Sequence, residues 1–155
     1  MFIGHGYDAH RFSVDRKLIL CGIEISHDKG LAGHSDADVA IHAVMDALLG
    51  AACMDNIGKL FPDNDMKYKG ADSTELLKEV MNRLYERNLK VVNVDVTIIA
   101  QEPKLAPYID LMREKLRLLC KTEYVNVKAT TEERMGFTGR CEGIATHAVC
   151  LLDEI

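Results

Sequence analysis

No stretch of the chain approaches the ~18–20 consecutive apolar residues of a membrane span, and its first residues are polar and charged where a signal peptide needs an apolar segment. A soluble, unexported, cytoplasmic protein is therefore expected, with no membrane partner. A C-x-x-C pair is also missing: Cys21, Cys53, Cys120, Cys141 and Cys150 are odd in number and widely spaced, which argues against a disulfide framework or a thiolate zinc site. Basic residues are in the minority, 19 Lys and Arg against 24 Asp and Glu. The clustered positive charge of a nucleic-acid surface is absent. An anionic ligand must then be attracted locally, and a bound divalent cation would do so. The only prolines are Pro62, Pro103 and Pro107, and there is no repeat, low-complexity tract or linker. A chain of 155 residues with 48% hydrophobic content reads as one domain over residues 1–155.

Strand-like runs are "MFIGHGYDAH", "KLILCGIEI", "VVNVDVTIIAQ", "YVNVKATT" and "GIATHAVCLL". The third alternates best, placing Val92, Val94, Val96 and Ile98 on one face and Asn93, Asp95 and Thr97 on the other. Helical periodicity occupies "SDADVAIHAVMDALLGAA", with Ser35 and Asp38 in an S-x-x-D capping arrangement and an apolar surface nearly all round. "DSTELLKEVMNRLYERN", capped by Asp72 or Ser73, and "PYIDLMREKLRLLC" give two more helices. The order ββααβαββ predicts an α+β domain, a mixed sheet covered by helices on one face. The run from about Cys53 to Gly70 has no clear period and reads as a mobile loop.

In "GYDAHRF", Asp8 and His10 are two residues apart on a strand and so share a face. A carboxylate oxygen and an imidazole nitrogen converging on one point begin a zinc site. His42 is the candidate third ligand. A lone histidine on an apolar helix is ordinarily a core residue, but Asp46 lies one turn on, where it could orient the imidazole. Three protein ligands leave a fourth position open, as catalytic zinc sites do. "HSDAD" adds His34 and Ser35 at a helix start, where plain capping and anion binding are both open. His5, His27 and His147 have no such company. A second cluster, "KATTEERMGFTGRCEG", brings Thr130, Thr131, Glu133 and Arg140 into one loop: hydroxyls and a guanidinium suit phosphate, and a carboxylate suits magnesium. The proline-punctuated "IIAQEPKLAP" could offer backbone groups to a flat base.

Together these pieces resemble the 2-C-methyl-D-erythritol 2,4-cyclodiphosphate synthases of non-mevalonate isoprenoid biosynthesis. The resemblance rests on "IGHGYDAHRF", "GLAGHSDADVAIHAVMDALLGAA", "IGKLFPDNDMKYKGADS", "NVDVTIIAQEPK" and "VNVKATTEERMGFTGRCEGIA", which run in the family's order across essentially the whole chain. It implies zinc, one ion per subunit, on Asp8, His10 and His42, with His34 and Thr131 as catalytic residues polarising the reacting phosphates. Glu133 would hold magnesium or manganese on the substrate diphosphate. The methylerythritol phosphate would lie against Ser35, Asn56, Ile57 and Gly58, and against Phe61, Pro62, Asp63, Asn64 and Asp65. Cytidine would meet the loop of Ala100, Gln101, Glu102, Pro103, Lys104, Leu105 and Ala106, with Thr130 and Thr131 beside it. Family members are cytoplasmic homotrimers whose sheets face inward and whose active sites lie between subunits, and Phe137 and Arg140 match positions lining the central cavity. Two positions depart from the pattern. Asn56 stands where the family often has aspartate, and Glu132 replaces a threonine or small polar residue, leaving Glu132 and Glu133 both open as the metal's carboxylate.

The implied reaction is that of a phosphorus–oxygen lyase. The 2-phosphate of 4-diphosphocytidyl-2-C-methyl-D-erythritol 2-phosphate attacks the β-phosphorus of its own diphosphate, and CMP leaves. A phosphate monoester has a second pKa of about 6, so no strong general base is needed at neutral pH. The requirement is to bring two anions into line, which metal ions, Thr131 and His34 would meet. A zinc hydrolase and a non-catalytic nucleotide-binding or zinc-stabilised assembly protein are the rival readings.

Overall fold

A computed structural model describes residues 1–155. Strand β1 (Phe2–Ser13) leads into the short β2 (Leu18–Leu20), β3 (Ile23–Ile25) and β4 (Gly30–Leu31). Helices α1 (Val39–Ala51), α2 (Ile57–Leu60) and α3 (Ser73–Glu86) follow, then β5 (Leu89–Ile99), α4 (Ile109–Cys120), β6 (Val125–Thr130), α5 (Gly136–Gly139) and β7 (Gly143–Glu154). The main sheet has the order β4-β1-β7-β5-β6; only β5 and β6 are parallel, and β2 and β3 form a separate hairpin. The fold is α+β with a mixed sheet, as expected from the sequence, and no helix is long and apolar enough to cross a membrane.

Helix α1 explains its uniform apolarity by its position. Every residue of it except Asp46 and Gly50 is buried, against β1 and β7 on one side and α3 on another. Its close approach to β1 depends on Gly4 and Gly6: a Cβ at Gly4 would lie 1.9 Å from Ala47 O, and one at Gly6 1.9 Å from Ala43 O. Helices α3 and α4 bury one face each, through Leu77, Val80, Met81 and Leu84, and through Met112, Leu116, Leu119 and Cys120. The opposite sheet face carries no helix and leaves Ile3, Tyr7 and Val149 exposed.

Several local expectations change. "KLILCGIEI" is two strands, because Cys21 and Gly22, both at positive φ, make a two-residue turn between paired Leu20 and Ile23. Val92 leaves the inner face: a bulge sets Val91 opposite Leu152 and Asn93 opposite Leu151, so Val91 is buried in its place. Ser35 does not cap α1; the N-cap is Asp38, whose carboxylate accepts from Ile41 N–H and also from the Cys21 and Gly22 amides. The run from Cys53 to Gly70 contains α2, capped by Asn56, and a 3₁₀ turn at Met66–Tyr68, capped by Asp65. One turn of helix is too short to show a hydrophobic period, which is why α2 and α5 escape sequence reading.

Candidate active site

The alternation of β1 turns Gly4, Gly6, Asp8 and His10 toward the helices. The two glycines admit α1, and the next two positions on the same face meet its first turns, where His42 lies. Asp8, His10 and His42 each offer a donor atom, all within 4.8 Å of one another. Three contacts close a triangle: His10 Nε2 to Asp8 Oδ2 at 2.8 Å, His42 Nδ1 to Asp8 Oδ2 at 3.0 Å, and His10 Nε2 to His42 Nδ1 at 3.2 Å.

These contacts cannot all be hydrogen bonds. A carboxylate only accepts, so two donating rings would face each other hydrogen to hydrogen, while a bare ring nitrogen would face a carboxylate lone pair. A cation at the centre turns that conflict into ligation. Zinc bonded at ~2.0–2.2 Å sets tetrahedral ligand atoms roughly 3.3 Å apart, so the triangle need open by only a few tenths of an ångström. The electrostatics agree. Burial alone would raise the Asp8 carboxyl, but hydrogen bonds from His10 and His42 outweigh it and hold Asp8 well below the usual carboxylate range. Burial lowers the His42 imidazole, and the Asp8 carboxylate more than reverses this, leaving it above its ordinary value.

The triangle opens into a cavity of about 380 Å³ also lined by His34, Ser35, Ile57, Gly58, Phe61 and Asp63. Of the other expected substrate contacts, Asn56 caps α2 by accepting from Lys59 N–H at 3.0 Å, and Asp65 accepts from Lys67 N–H at 3.0 Å. Pro62 and Asn64 lie in the same loop outside the lining. Asp46 does not reach His42; its carboxylate accepts from Ile57 N–H at 2.8 Å and anchors α2. The imidazole is held instead from its other side, by Ser35 and Ser73 at 3.1 Å each from Nε2. Sequence reading also missed Arg16, whose guanidinium donates to Gly33 O and Ser35 O at 2.7 Å each and so holds the His34 loop. The contacts of Arg16 and of Ser73 have no local signal, since their partners are 17 to 31 positions away in the chain.

A second cavity, of about 270 Å³, is lined by Ala100, Gln101, Pro103, Lys104, Leu105 and Ala106, with Thr130 and Thr131 opposite; Glu102 is outside it. Arg134 N–H donates to Gln101 Oε1 at 3.0 Å and ties the two loops together. Glu133 and Arg134 are both left-handed, at φ 52° and 64°, an uncommon conformation for side-chain-bearing residues. Glu132 and Glu133 are both exposed; Glu132 accepts from the Thr138 hydroxyl, whereas the Glu133 carboxylate has only the Thr131 hydroxyl, at 3.5 Å. Phe137 lines a groove beside Ala9 and Arg11, and Arg140 pairs with Glu142 at 2.7 Å. The two cavities share no residue. Three strand spacings separate β1 from β6, about 14 Å at ~4.8 Å each.

A family model described as the YgbB family matches residues 1–153. The 2-C-methyl-D-erythritol 2,4-cyclodiphosphate synthase of Clostridioides difficile (strain 630) is 56% identical over 154 residues, which cover 98% of this chain and 96% of that protein. Among solved structures, a 2C-methyl-D-erythritol-2,4-cyclodiphosphate synthase in its CDP-bound form superposes with a TM-score of 0.89 at 34% identity, covering 97% of this chain and 99% of that one. The bifunctional IspDF from Campylobacter jejuni superposes with a TM-score of 0.95 at 41% identity; 99% of this chain is covered, but it spans only 42% of that longer protein.

Proposed function

The chain belongs to the YgbB family, and from that premise we infer that it is a 2-C-methyl-D-erythritol 2,4-cyclodiphosphate synthase. It converts 4-diphosphocytidyl-2-C-methyl-D-erythritol 2-phosphate to the cyclic diphosphate and CMP, a step of isoprenoid biosynthesis. The observation that carries this reading is the Asp8–His10–His42 triangle, which opens on a cavity lined by His34 and Ser35. Because CMP departs without water entering the product, the reaction type is that of a phosphorus–oxygen lyase.

In the site we propose, Asp8, His10 and His42 hold zinc, and Glu133 holds magnesium or manganese on the diphosphate. Bound there, the two ions would neutralise phosphate oxygens and polarise the β-phosphorus. The chain's own residues position the substrate. His34 and Ser35, held by Arg16, face the phosphates; the α2 segment with Asn56, Ile57 and Gly58 and the loop from Phe61 to Asp65 enclose the methylerythritol. The loop from Ala100 to Ala106 offers the cytosine a shallow cleft, with the Thr130 and Thr131 hydroxyls beside the nucleotide phosphates. No side chain need abstract a proton, because the attacking phosphate is already mostly dianionic.

We place the active site between subunits of a homotrimer. Strands β1 and β6, which lead to the two cavities, are three strand spacings apart across the sheet, about 14 Å, so within one chain Thr131 stands well away from a phosphate held at the triangle. The uncovered sheet face, with Ile3, Tyr7 and Val149 exposed, is the surface such a trimer would bury. Five free cysteines suit a reducing cytoplasm. We take residues 1–155 as one synthase domain.

Incubating the purified chain with the cytidyl substrate and following the products by phosphorus NMR tests the reading. A cyclic diphosphate with CMP is expected; CMP with a linear product would assign a hydrolase instead. His42→Ala, which introduces a good helix former, should abolish zinc retention and turnover while leaving the helical circular dichroism intact. Normal zinc content in that variant by elemental analysis would overturn the ligand assignment.

A further inference from the structure

His42 meets different surroundings at its two ring nitrogens. Nδ1 faces Asp8 and His10, whereas Nε2 lies 3.1 Å from Ser73 Oγ. Ser73, the first residue of α3, is fully buried. Its hydroxyl has no duty in capping that helix, because the Asp72 carboxylate already accepts from Thr74 N–H at 2.8 Å. The Ser73 hydroxyl instead donates to Asp36 Oδ1, and Ser73 N–H donates to Asp36 Oδ2 at 3.0 Å. Asp38 N–H completes the set at 3.1 Å from Asp36 Oδ1.

The direction of every proton in this chain is then determined. An ionised carboxylate accepts only, so the proton between Ser73 and Asp36 belongs to the serine. A hydroxyl has one proton, and once it is given to Asp36, Ser73 Oγ can meet His42 only as an acceptor. Nε2 must therefore carry a hydrogen, and in the neutral ring that leaves Nδ1 as a bare lone pair on the side of Asp8 and His10. Ser35 Oγ, also 3.1 Å from Nε2, accepts from Ala37 N–H at 3.2 Å and has no carboxylate to hold its proton. It remains free to turn to a ligand. Ser73 does not.

We propose that Asp36 and Ser73 form a positioning relay that holds His42 as the Nε2–H tautomer and so presents Nδ1 to a divalent transition metal. The relay rests on the zinc reading of Asp8, His10 and His42. It also joins the start of α3, and with it the loop that lines the cavity, to the metal centre.

The test measures transfer of zinc from the loaded full chain to a chromophoric chelator at constant pH, for the parent, Ser73→Ala, Ser73→Cys and Ser73→Thr. Alanine removes the acceptor, cysteine keeps the volume with a much weaker one, and threonine restores the hydroxyl. The expected result is a loss of zinc affinity of about 10–100-fold in the alanine and cysteine variants and recovery in the threonine variant. A purely structural serine would lower the melting temperature of the metal-free protein and leave the affinity of the folded fraction unchanged. Independently of any substitution, long-range proton–nitrogen correlation on the zinc-loaded parent should show His42 Nε2 protonated. Parental affinity in both Ser73→Ala and Ser73→Cys, or a bare Nε2 in the parent, overturns the relay. A parent that takes up no zinc, or a His42→Ala variant that keeps it, overturns the zinc reading itself and the relay with it, and is seen before any Ser73 variant is compared.

Discussion

Glu132 and Glu133 are adjacent carboxylates with different freedom. The Thr138 hydroxyl engages Glu132, while the left-handed backbone at Glu133 swings its side chain out beside Thr131. Of the two, Glu133 is the less tightly engaged and the readier to meet a cation brought in on a diphosphate. Glu133→Gln should keep zinc but raise the magnesium concentration for half-maximal turnover, by roughly tenfold if one carboxylate ligand is worth about 1.4 kcal/mol. An unchanged magnesium titration would return the role to Glu132 or to no protein carboxylate. Cysteine reactivity provides a second check at this scale. Burial pushes the Cys120 thiol up to about 12 and Cys150 to about 11, and raises Cys21 well above the ordinary range. The thiolate is the reactive species, so a thiol reagent at about pH 9 should label the exposed Cys53 while these three stay silent. Labelling of Cys120 at the rate of Cys53 in the native protein, read by peptide mass, would contradict the packing.

The pairing of β1 with α1 is where one element determines the chemistry of another. Strand alternation puts two glycines and then two ligands on one face, so the feature that lets the helix approach continues directly into the feature the helix completes. Gly6→Ala places a Cβ 1.9 Å from Ala43 O and 2.7 Å from Ala47 N, backbone atoms that cannot turn aside. The variant should lose about 3 kcal/mol or more, a melting temperature lower by roughly 6–12 °C, and its zinc with it. A native melt with normal zinc content would mean that the helix approaches less closely than this structure has it. Asp38 acts between elements in a similar way. Its carboxylate caps α1 and also receives both amides of the β2–β3 turn, coupling the hairpin to the helix that carries His42.

For the whole molecule, the separation of the two cavities is the fact to be explained. If each site takes Asp8, His10 and His42 from one subunit and Thr131 from its neighbour, neither Asp8→Ala nor Thr131→Ala alone should turn over substrate appreciably. Reassorting the two variants at equal amounts should leave about a quarter of sites with both halves intact, and activity should return toward that fraction. A light-scattering mass showing an active monomer would defeat the trimer. A trimer without complementation would defeat only the assignment of these two residues to one shared site.

Much of this was legible in the chain because it is local. Asp8 and His10 share a face by the period of a strand, α1 announces itself by its apolar run, Asp72 precedes an amphipathic helix, and the four long strands lie in runs that alternate or accumulate β-branched residues. Short elements were not legible: the Cys21–Gly22 turn, α2 and α5 span too few residues for a period to form, and the β5 bulge moves Val92 without any change in composition. The tertiary structure alone decided which distant groups meet. Spacing pointed to Asp46 as the partner of His42, yet the imidazole lies against Ser73 and Ser35 while Asp46 holds α2. The physical reason is that periodicity specifies which side of an element a residue occupies, whereas hydrogen-bond partners depend on how elements pack. That packing is set by close approaches, such as the backbone contact at Gly4 and Gly6, that no window of sequence contains.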